Sequence, residues 1–439
     1  MAKKQEVVKL PHEYFPPIVF SPSGPDNATQ QANGIQARQN PGYTYAMALL
    51  AEALSKRADS LMLDYTQAAV ALQFSVDGLP QNAPQRDRAS GDAMLVCFKL
   101  LADLKPGERQ ARQEGRFGAE FRGQKYIVNL VSQGVKTGER VMFKLLPKKL
   151  PFGNLDDLGM RDKMRDQFKA LINSGRGLTI FSAPPGLGLS TTWKFAIEAA
   201  DRFIRDYVAV ESKTFTDDEI INVNPYRYDP AAGETPESVL RNVLLKQPDA
   251  IVIPEIPNKE TMEILLQFIN DDEKMAITRV PARDACEAIL RLLPLADDRE
   301  GFAKSLKMVI NQRLIRKLCD CKQAVPAPPQ LLQQLGIPPG RVQVLYREWQ
   351  PPPPDPKAKE PPPVCAKCQG VGYLGRTAIF ELLEVTDALR EIIIKTPQLD
   401  ALRQAARQGG HKSIKEEGIL LLVKGVTSLP ELQRILQQG

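Results

Sequence analysis

The sequence predicts an α/β protein: a doubly wound domain on a mostly parallel sheet, with a smaller α+β domain before it and a cysteine-bearing segment plus helices after it. Three observations carry this. Short, nearly continuous apolar runs at 178–181, 207–210, 250–253 and 275–277 alternate with helical patterns, as strands buried on both faces of a parallel sheet do. The first run enters a glycine turn that opens a helix, Ala183-Pro-Pro-Gly-Leu-Gly-Leu-Ser-Thr-Thr192. Two close cysteine pairs flank a proline-dense stretch.

In chain order, residues 1–42 are rich in Pro, Gln, Asn, Ser and Gly without lasting periodicity, which predicts a disordered arm. From Tyr43, the residues Ala46, Leu49, Leu50, Ala53 and Leu54 recur at helical spacing. The run 69–74 reads as a strand ending in the turn signal Asp77-Gly78. A helix over 91–104 and strands near 126–131 and 141–146 complete an α+β domain over 43–150. The doubly wound domain is expected over 151–318, with helices over 191–202, 236–246 and 259–269. Prolines dominate 325–363 and predict an extended, solvated spacer without a core. That spacer lies inside a cysteine module over 319–382, whose last residues, 377–382, look strand-like. Three helical segments fill 383–439.

With 58 Lys and Arg against 52 Asp and Glu, the net charge is +6 and the two signs are interspersed. No basic run is dense enough for a nucleic-acid groove, so a nucleic-acid motor finds no support. No stretch approaches the ~18 apolar residues of a membrane-spanning helix. No apolar core follows the start Met-Ala-Lys-Lys-Gln-Glu, so a cytoplasmic protein is expected. His12 and His411 are the two histidines, and histidine-based catalysis is not expected. Cys97 and Cys286 stand alone in apolar helical patterns and read as core packing. Disulfides are not expected in such a chain.

The glycine turn has the placement of a phosphate-binding loop: buried strand, turn, helix N-terminus. There, unpaired N–H groups and the positive helix end face an anion. The candidate binding residues are Gly186, Gly188, Leu189, Ser190 and Thr191, with the Ser190 hydroxyl placed to hold Mg²⁺. Against the pattern G-x-x-x-x-G-K-[ST], Ala183 stands for the first glycine and Leu189 for the lysine. A hydrogen bond to a charged group contributes ~1.5–3 kcal/mol, and phosphoryl transfer rests largely on such electrostatic positioning. Leu189 supplies no donor, and Pro185 has no N–H to offer. Weak nucleotide binding fits this loop and normal turnover does not. A structural strand–turn–helix without a ligand fits the same residues.

Gln312-Arg-Leu-Ile-Arg-Lys-Leu-Cys319, Gly372-Tyr-Leu-Gly-Arg-Thr-Ala-Ile-Phe-Glu381 and the ending with Glu417-Gly418 and Gly425-Val-Thr-Ser-Leu resemble the type II secretion and type IV pilus assembly ATPases. In the first domain Val76-Asp-Gly78, Glu114-Gly-Arg116 and Gly138-Glu139 belong to the same resemblance, which runs from about Tyr43 to the C-terminus. It implies a RecA-like P-loop motor domain with ATP and Mg²⁺ bound beside a smaller N-terminal domain. It also implies a homo- or hetero-hexameric ring, cytoplasmic and peripheral to the inner membrane, that acts on an inner-membrane platform protein. The large N-terminal domain of many secretion members has no counterpart, so their mode of membrane attachment is not implied.

Carried over residue by residue, the resemblance implies losses at five motifs. Glu211 remains of the acidic box Val210-Glu-Ser-Lys213. Glu255 stands where a glutamate polarises the attacking water, but Pro254 replaces a glycine and Pro257-Asn258 replace Arg-Asp. Lys274 and Pro281 occupy histidine positions; Ser75 and Asn129 occupy those of phosphate-facing arginines. Together with Leu189 these departures predict a catalytically impaired subunit with a structural or regulatory role, Glu211 and Glu255 being vestigial. Both also read as solvated acids at strand ends. The alternative is a working ATPase in which Lys194, Lys274 or Arg279 replaces the lysine.

Cys319-Asp-Cys321 and Cys365-Ala-Lys-Cys368 resemble the family's four-cysteine module. Four thiolates suit a closed, structural Zn²⁺ site. The first pair is one residue tighter than the usual C-x-x-C, and four free thiols are the alternative.

Overall fold

The computed structural model describes residues 10–214, 218–352 and 364–437. The chain divides into two compact units, Met1–Pro151 and Phe152–Gly439.

The first unit is a seven-stranded antiparallel sheet. Its order is Ile18–Ser21, Gln113–Phe121, Gln124–Val135, Gly138–Pro147, Ala58–Tyr65, Ala69–Val76 and Leu79–Asp87. The period-2 pattern fixes its buried face: Val70, Leu72, Phe74 and Val76 point inward while their neighbours do not. Helices Tyr43–Ser55 and Arg88–Leu101 contribute Leu49, Leu50, Met94 and Phe98 to the same core.

The N-terminal arm predicted as disordered departs from this expectation within its described part. Ile18–Ser21 is an edge strand paired with Gln113–Phe121, and Asn27–Gln39 is a helix capped by Asp26, whose carboxylate accepts the Thr29 N–H at 2.7 Å. Phe20 anchors the strand, its ring packing edge-on against Phe117 and Tyr43 at 5.7 and 5.6 Å between centroids. The apolar signal, Ile18 and Phe20, is too short to be read between prolines. The partners that give it value lie about a hundred residues away. Residues 1–9 of the arm lie outside the described residues.

The second unit carries the doubly wound sheet, in the order Val223–Tyr228, Tyr207–Ser212, Ala250–Ile253, Met275–Val280, Gly177–Ser182, Leu306–Leu318 and Tyr373–Glu384. The first six strands are parallel; the last runs antiparallel to Leu306–Leu318. Leu178, Ile180, Val208, Val210, Ile251 and Ile253 are buried between helices on a common core.

Three boundaries differ from the sequence expectation. The strand Tyr373–Glu384, placed at the end of the cysteine module, is the seventh strand of the main sheet, because Ala378, Ile379, Phe380, Leu382 and Leu383 are all buried there. The proline-dense spacer is partly folded: Gln323–Pro326 pairs with Val344–Arg347, and Pro329–Gln334 forms a short helix between them. Leu345 joins a core with Ile315, Ile379, Ile414, Leu422 and Leu432. Prolines sit where a helix starts or a strand ends, so they do not prevent this packing. The stretch 353–363 lies outside the described residues. Finally, among the described residues four helices follow the sheet instead of three: Asp387–Lys395, Leu399–Gln408, Ile414–Val423 and Leu429–Gln437. The third of these begins at a capping box, Ser413 with Glu416.

Glu381 ties these helices to the sheet. Its buried carboxylate accepts the N–H of Ala285 at 2.6 Å and of Ile414 at 2.9 Å, the first residues of two helices. An anion there satisfies orphan donors and both helix dipoles at once. Cys97 and Cys286 are buried in the two cores. Among the described residues no helix is long and apolar enough to cross a membrane.

Candidate functional site

The buried strand Gly177–Ser182 delivers the chain to the loop, and the helix Leu189–Glu198 starts directly after it. Gly186 and Gly188 hold φ of 79° and 84°, a region costly for any residue with a Cβ. A Cβ at Gly188 would lie 3.2 Å from Leu314 and 3.4 Å from the Gln312 amide, so the strand Leu306–Leu318 presses on the turn. Among the described residues the N–H groups of Gly186, Gly188, Leu189 and Ser190 have no hydrogen-bond acceptor. They sit at a helix N-terminus, where a nest of free donors and the positive dipole end select an anion. The Leu189 side chain is half-buried and Ser190 is exposed. Backbone groups alone supply the attraction at this position.

Gln312 is the residue that sequence reasoning did not assign to the loop. It is buried; its Nε2 donates to the Leu187 carbonyl at 2.8 Å, and its Oε1 accepts from the Thr192 hydroxyl. One amide thus clamps both sides of the turn. Next to it Asn311 donates to Ser182 Oγ at 2.8 Å and to the Ala282 carbonyl at 3.1 Å. Gln312 was visible only as a letter in the resemblance. Its contacts span 120 and 125 residues, and no local signal encodes that.

The proposed substitute cations separate clearly. Lys194 pairs with Asp218 at 3.1 Å. Lys274 lies at the opposite end of the sheet: its carbonyl accepts the Gly177 N–H at 2.9 Å and its ammonium meets Asp249 at 2.7 Å. A five-residue strand step separates Gly177 from Ser182, roughly 16 Å at ~3.3 Å per residue. Lys274 therefore neither replaces the lysine nor lies beside the phosphate loop. Arg279 pairs in register with Phe181 at the loop end, with its guanidinium over the Trp193 ring at 5.2 Å on the loop helix.

Glu211 and Glu255 lie at the same edge as the loop, where the parallel strands end. Glu211 is buried and receives Arg227 Nε at 2.8 Å from the adjacent strand, which places it in an ion pair. Glu255 is exposed just beyond Ala250–Ile253, and one strand, Met275–Val280, intervenes before the loop strand. Burial raises the Tyr228 phenol, and the nearby Glu255 charge raises it further. Asn258 has a structural task here: it caps the helix Lys259–Asp271 by accepting the Thr261 N–H at 2.9 Å.

In the first unit Asn129 and Ser75 fall on one cross-strand row, Arg116, Asn129, Lys144, Ser60 and Ser75. Two cations therefore flank Asn129 directly on the neighbouring strands. The residue alternation of those strands carried this signal, but only the register reveals it.

The four cysteines converge. Their sulfurs lie within 4.8 Å of one another, with Cys319 Sγ to Cys365 Sγ at 3.8 Å and Cys321 Sγ to Cys368 Sγ at 3.6 Å. A tetrahedral four-sulfur site with ~2.3 Å metal–sulfur bonds has edges of about 3.8 Å. The two cross-pair distances are close to that edge, and the tight Cys319-Asp-Cys321 spacing does not keep the four sulfurs apart. The Gly372 N–H donates to Cys368 Sγ at 3.3 Å, a contact that orients a ligand sulfur. Backbone N–H groups of Cys368 and Lys367 pull the Cys365 thiol down to about 7, while burial raises Cys319.

A parallel sheet with a glycine loop between strand and helix, joined to an antiparallel N-terminal unit and closed by a cysteine cluster and helices, defines a P-loop ATPase fold. Solved structures share it: the ATPase DotB of Legionella pneumophila (TM-score 0.58, 13% identity, covering 90% of this chain and 96% of that one) and the pilus retraction motor PilT with bound ADP (TM-score 0.51, 17% identity, 88% and 95%). The model of the family described as Type II/IV secretion system protein matches residues 36–434, and the chain belongs to this family of secretion and pilus-assembly ATPases. It is similar to the Protein transport protein HofB homolog of Escherichia coli (strain K12), at 28% identity over 402 residues, 92% of this chain and 83% of that protein. Type II secretion system ATPase E of Vibrio cholerae is 28% identical over 89% of this chain and 75% of its own length. The Type IV pilus assembly ATPase PilB of Thermus thermophilus is 25% identical over 98% of this chain, which spans 48% of that protein.

Proposed function

We propose that this chain is a catalytically impaired subunit of a secretion or pilus-assembly machine. In this reading it binds a nucleotide phosphate weakly and serves a structural or regulatory role. The observation that carries the reading is the loop itself: four backbone donors are free for an anion, while Leu189 stands where a cation is needed. Gly186, Gly188, Leu189, Ser190 and Thr191 would contact the phosphates, Ser190 would hold Mg²⁺, and Glu211 and Glu255 are vestigial. The Glu211–Arg227 pair supports that assignment for Glu211, because its buried carboxylate is already engaged by a guanidinium of the adjacent strand. The 43–150 domain, the 151–318 motor domain, the 319–382 cysteine module and the 383–439 helical segment would be parts of a subunit in a cytoplasmic ring, homo- or hetero-hexameric, at an inner-membrane platform protein. A structural Zn²⁺ on Cys319, Cys321, Cys365 and Cys368 is supported by the sulfur spacings.

The test titrates a fluorescent ATP analogue and assays phosphate release in the native protein, Leu189→Lys and Glu255→Gln. Weak binding without release, and tighter binding by about 10- to 100-fold in Leu189→Lys, is expected from one restored charged hydrogen bond. Steady release by the native protein above the Glu255→Gln level would overturn the reading in favour of a working motor. Such a motor would draw its cation from Arg279, at the loop end of the sheet, or from Lys194 on the helix after the loop.

A further inference from the structure

We propose that the end of the motor sheet opposite the phosphate loop is a docking face for an amphipathic helix of a partner protein, one carrying Lys or Arg beside its apolar residues. A groove of about 540 Å³ is floored by the buried Ile264 and Phe268 and rimmed by Leu244, Gln267, Asp271, Asp272 and Lys274. It lies where the helices Pro236–Leu244 and Lys259–Asp271 end. Leu245, beside it, is 82% exposed. The loops leading into the two neighbouring strands add Phe203 and Ile204 before Tyr207–Ser212 and Ile221 before Val223–Tyr228, each 70% exposed or more. Exposed apolar side chains gathered at one edge mark an association surface, and a groove between helices accepts the apolar face of a further helix.

The charge at this groove selects the partner. The C-terminal, negative dipole ends of both helices meet here. The helix Lys259–Asp271 has no basic residue in its last turn and ends on Asp271 and Asp272. Among the described residues neither carboxylate has a hydrogen-bond or ion-pair partner. Lys274 at the rim is ion-paired with Asp249 and Arg176 with Glu273, while Lys246 donates to the Tyr226 phenol and keeps its charge, so the two aspartates leave the groove with a net negative charge. Two carboxylates at the negative end of a helix destabilise it until a cation arrives. A basic amphipathic helix supplies that cation together with apolar surface for Leu245 and the groove. Because the face lies across the sheet from the loop, docking leaves the nucleotide edge open.

The experiment measures fluorescence anisotropy of a synthetic helix with Leu on one face and Lys on the other, and of its Glu-for-Lys counterpart, against the full chain. Saturable binding of the Lys helix is expected. It should weaken about tenfold in Leu245→Asp and in the double variant Asp271→Asn/Asp272→Asn, with no binding of the Glu helix. All three sites are exposed, and unchanged melting curves establish that the variants are folded. Absent binding by the native chain, equal binding of both helices, or variants that bind like the native chain would each overturn the proposal. Sedimentation velocity supplies a separate arm: if Leu245→Asp breaks up an oligomer of this chain, the face is a contact between copies and the proposed partner falls.

Discussion

Replacing Gln312 by Ala would remove a side chain that holds the phosphate loop from below. Two polar groups lose their partner, the Leu187 carbonyl and the hydroxyl of the buried Thr192. Each buried unsatisfied group costs about 1–3 kcal/mol. The sum is about 2–6 kcal/mol, and water entering at the half-buried loop moves the expected value to about 3 kcal/mol. For a unit of this size each kcal/mol lowers the midpoint by about 2–4 °C, so the motor unit should melt about 6–12 °C lower. The loop should also lose its preorganisation, because Gly186 and Gly188 would no longer be pinned at positive φ by the strand behind them. Calorimetry of the full chain, with the ATP-analogue titration in parallel, reads both effects. Gln312→Glu sharpens the test: it keeps an acceptor for Thr192 but turns a carboxylate towards the Leu187 carbonyl, so binding should fall at least as far as in Gln312→Ala. A Gln312→Ala protein that melts and binds nucleotide as the native chain does would refute the clamp.

Three other outcomes are expected. Glu381→Ala should cost about 3–5 kcal/mol, since it strips the acceptor from two helix N-termini, while Glu381→Gln should cost less; urea unfolding followed at the C-terminal helices distinguishes them. Chelation should release one zinc per chain and expose four thiols to a thiol reagent, and Cys321→Ser should abolish metal retention; thiols that react at once in the untreated protein would contradict this. Glu237 and Glu287 titrate at about 2 instead of near 4.5: burial raises both, but hydrogen bonds outweigh it, from Thr261 on Glu237 and from Arg291 and Arg283 on Glu287. Both folded values lie below the unfolded one, so each contributes on the order of 3 kcal/mol that is fully present above about pH 4.5 and lost as pH falls towards 2. Glu287→Gln should flatten that acid limb in denaturant-derived stability measured across pH.

Much of the fold was legible because its signals are local. Buried parallel strands read as continuous apolar runs, and the loop shows itself as glycines between a strand and a helix. Paired cysteines declare a cluster by spacing alone. The sequence also determined what the loop lacks, since the Leu189 side chain has no donor in any conformation. Other features depend on partners far along the chain. The strand Ile18–Ser21 has value only beside Gln113–Phe121, and the folded proline-dense stretch only through Leu345 in a distant core. The candidate cations illustrate the same division. Lys194, Lys274 and Arg279 are equivalent letters in the sequence, and the parallel register alone puts Lys274 at the far end of the sheet and Arg279 at the loop end. Residue chemistry is fixed in one dimension, whereas reach and desolvation come from three. The missing lysine was therefore decided by sequence, and the clamp of Gln312 on the loop by tertiary structure.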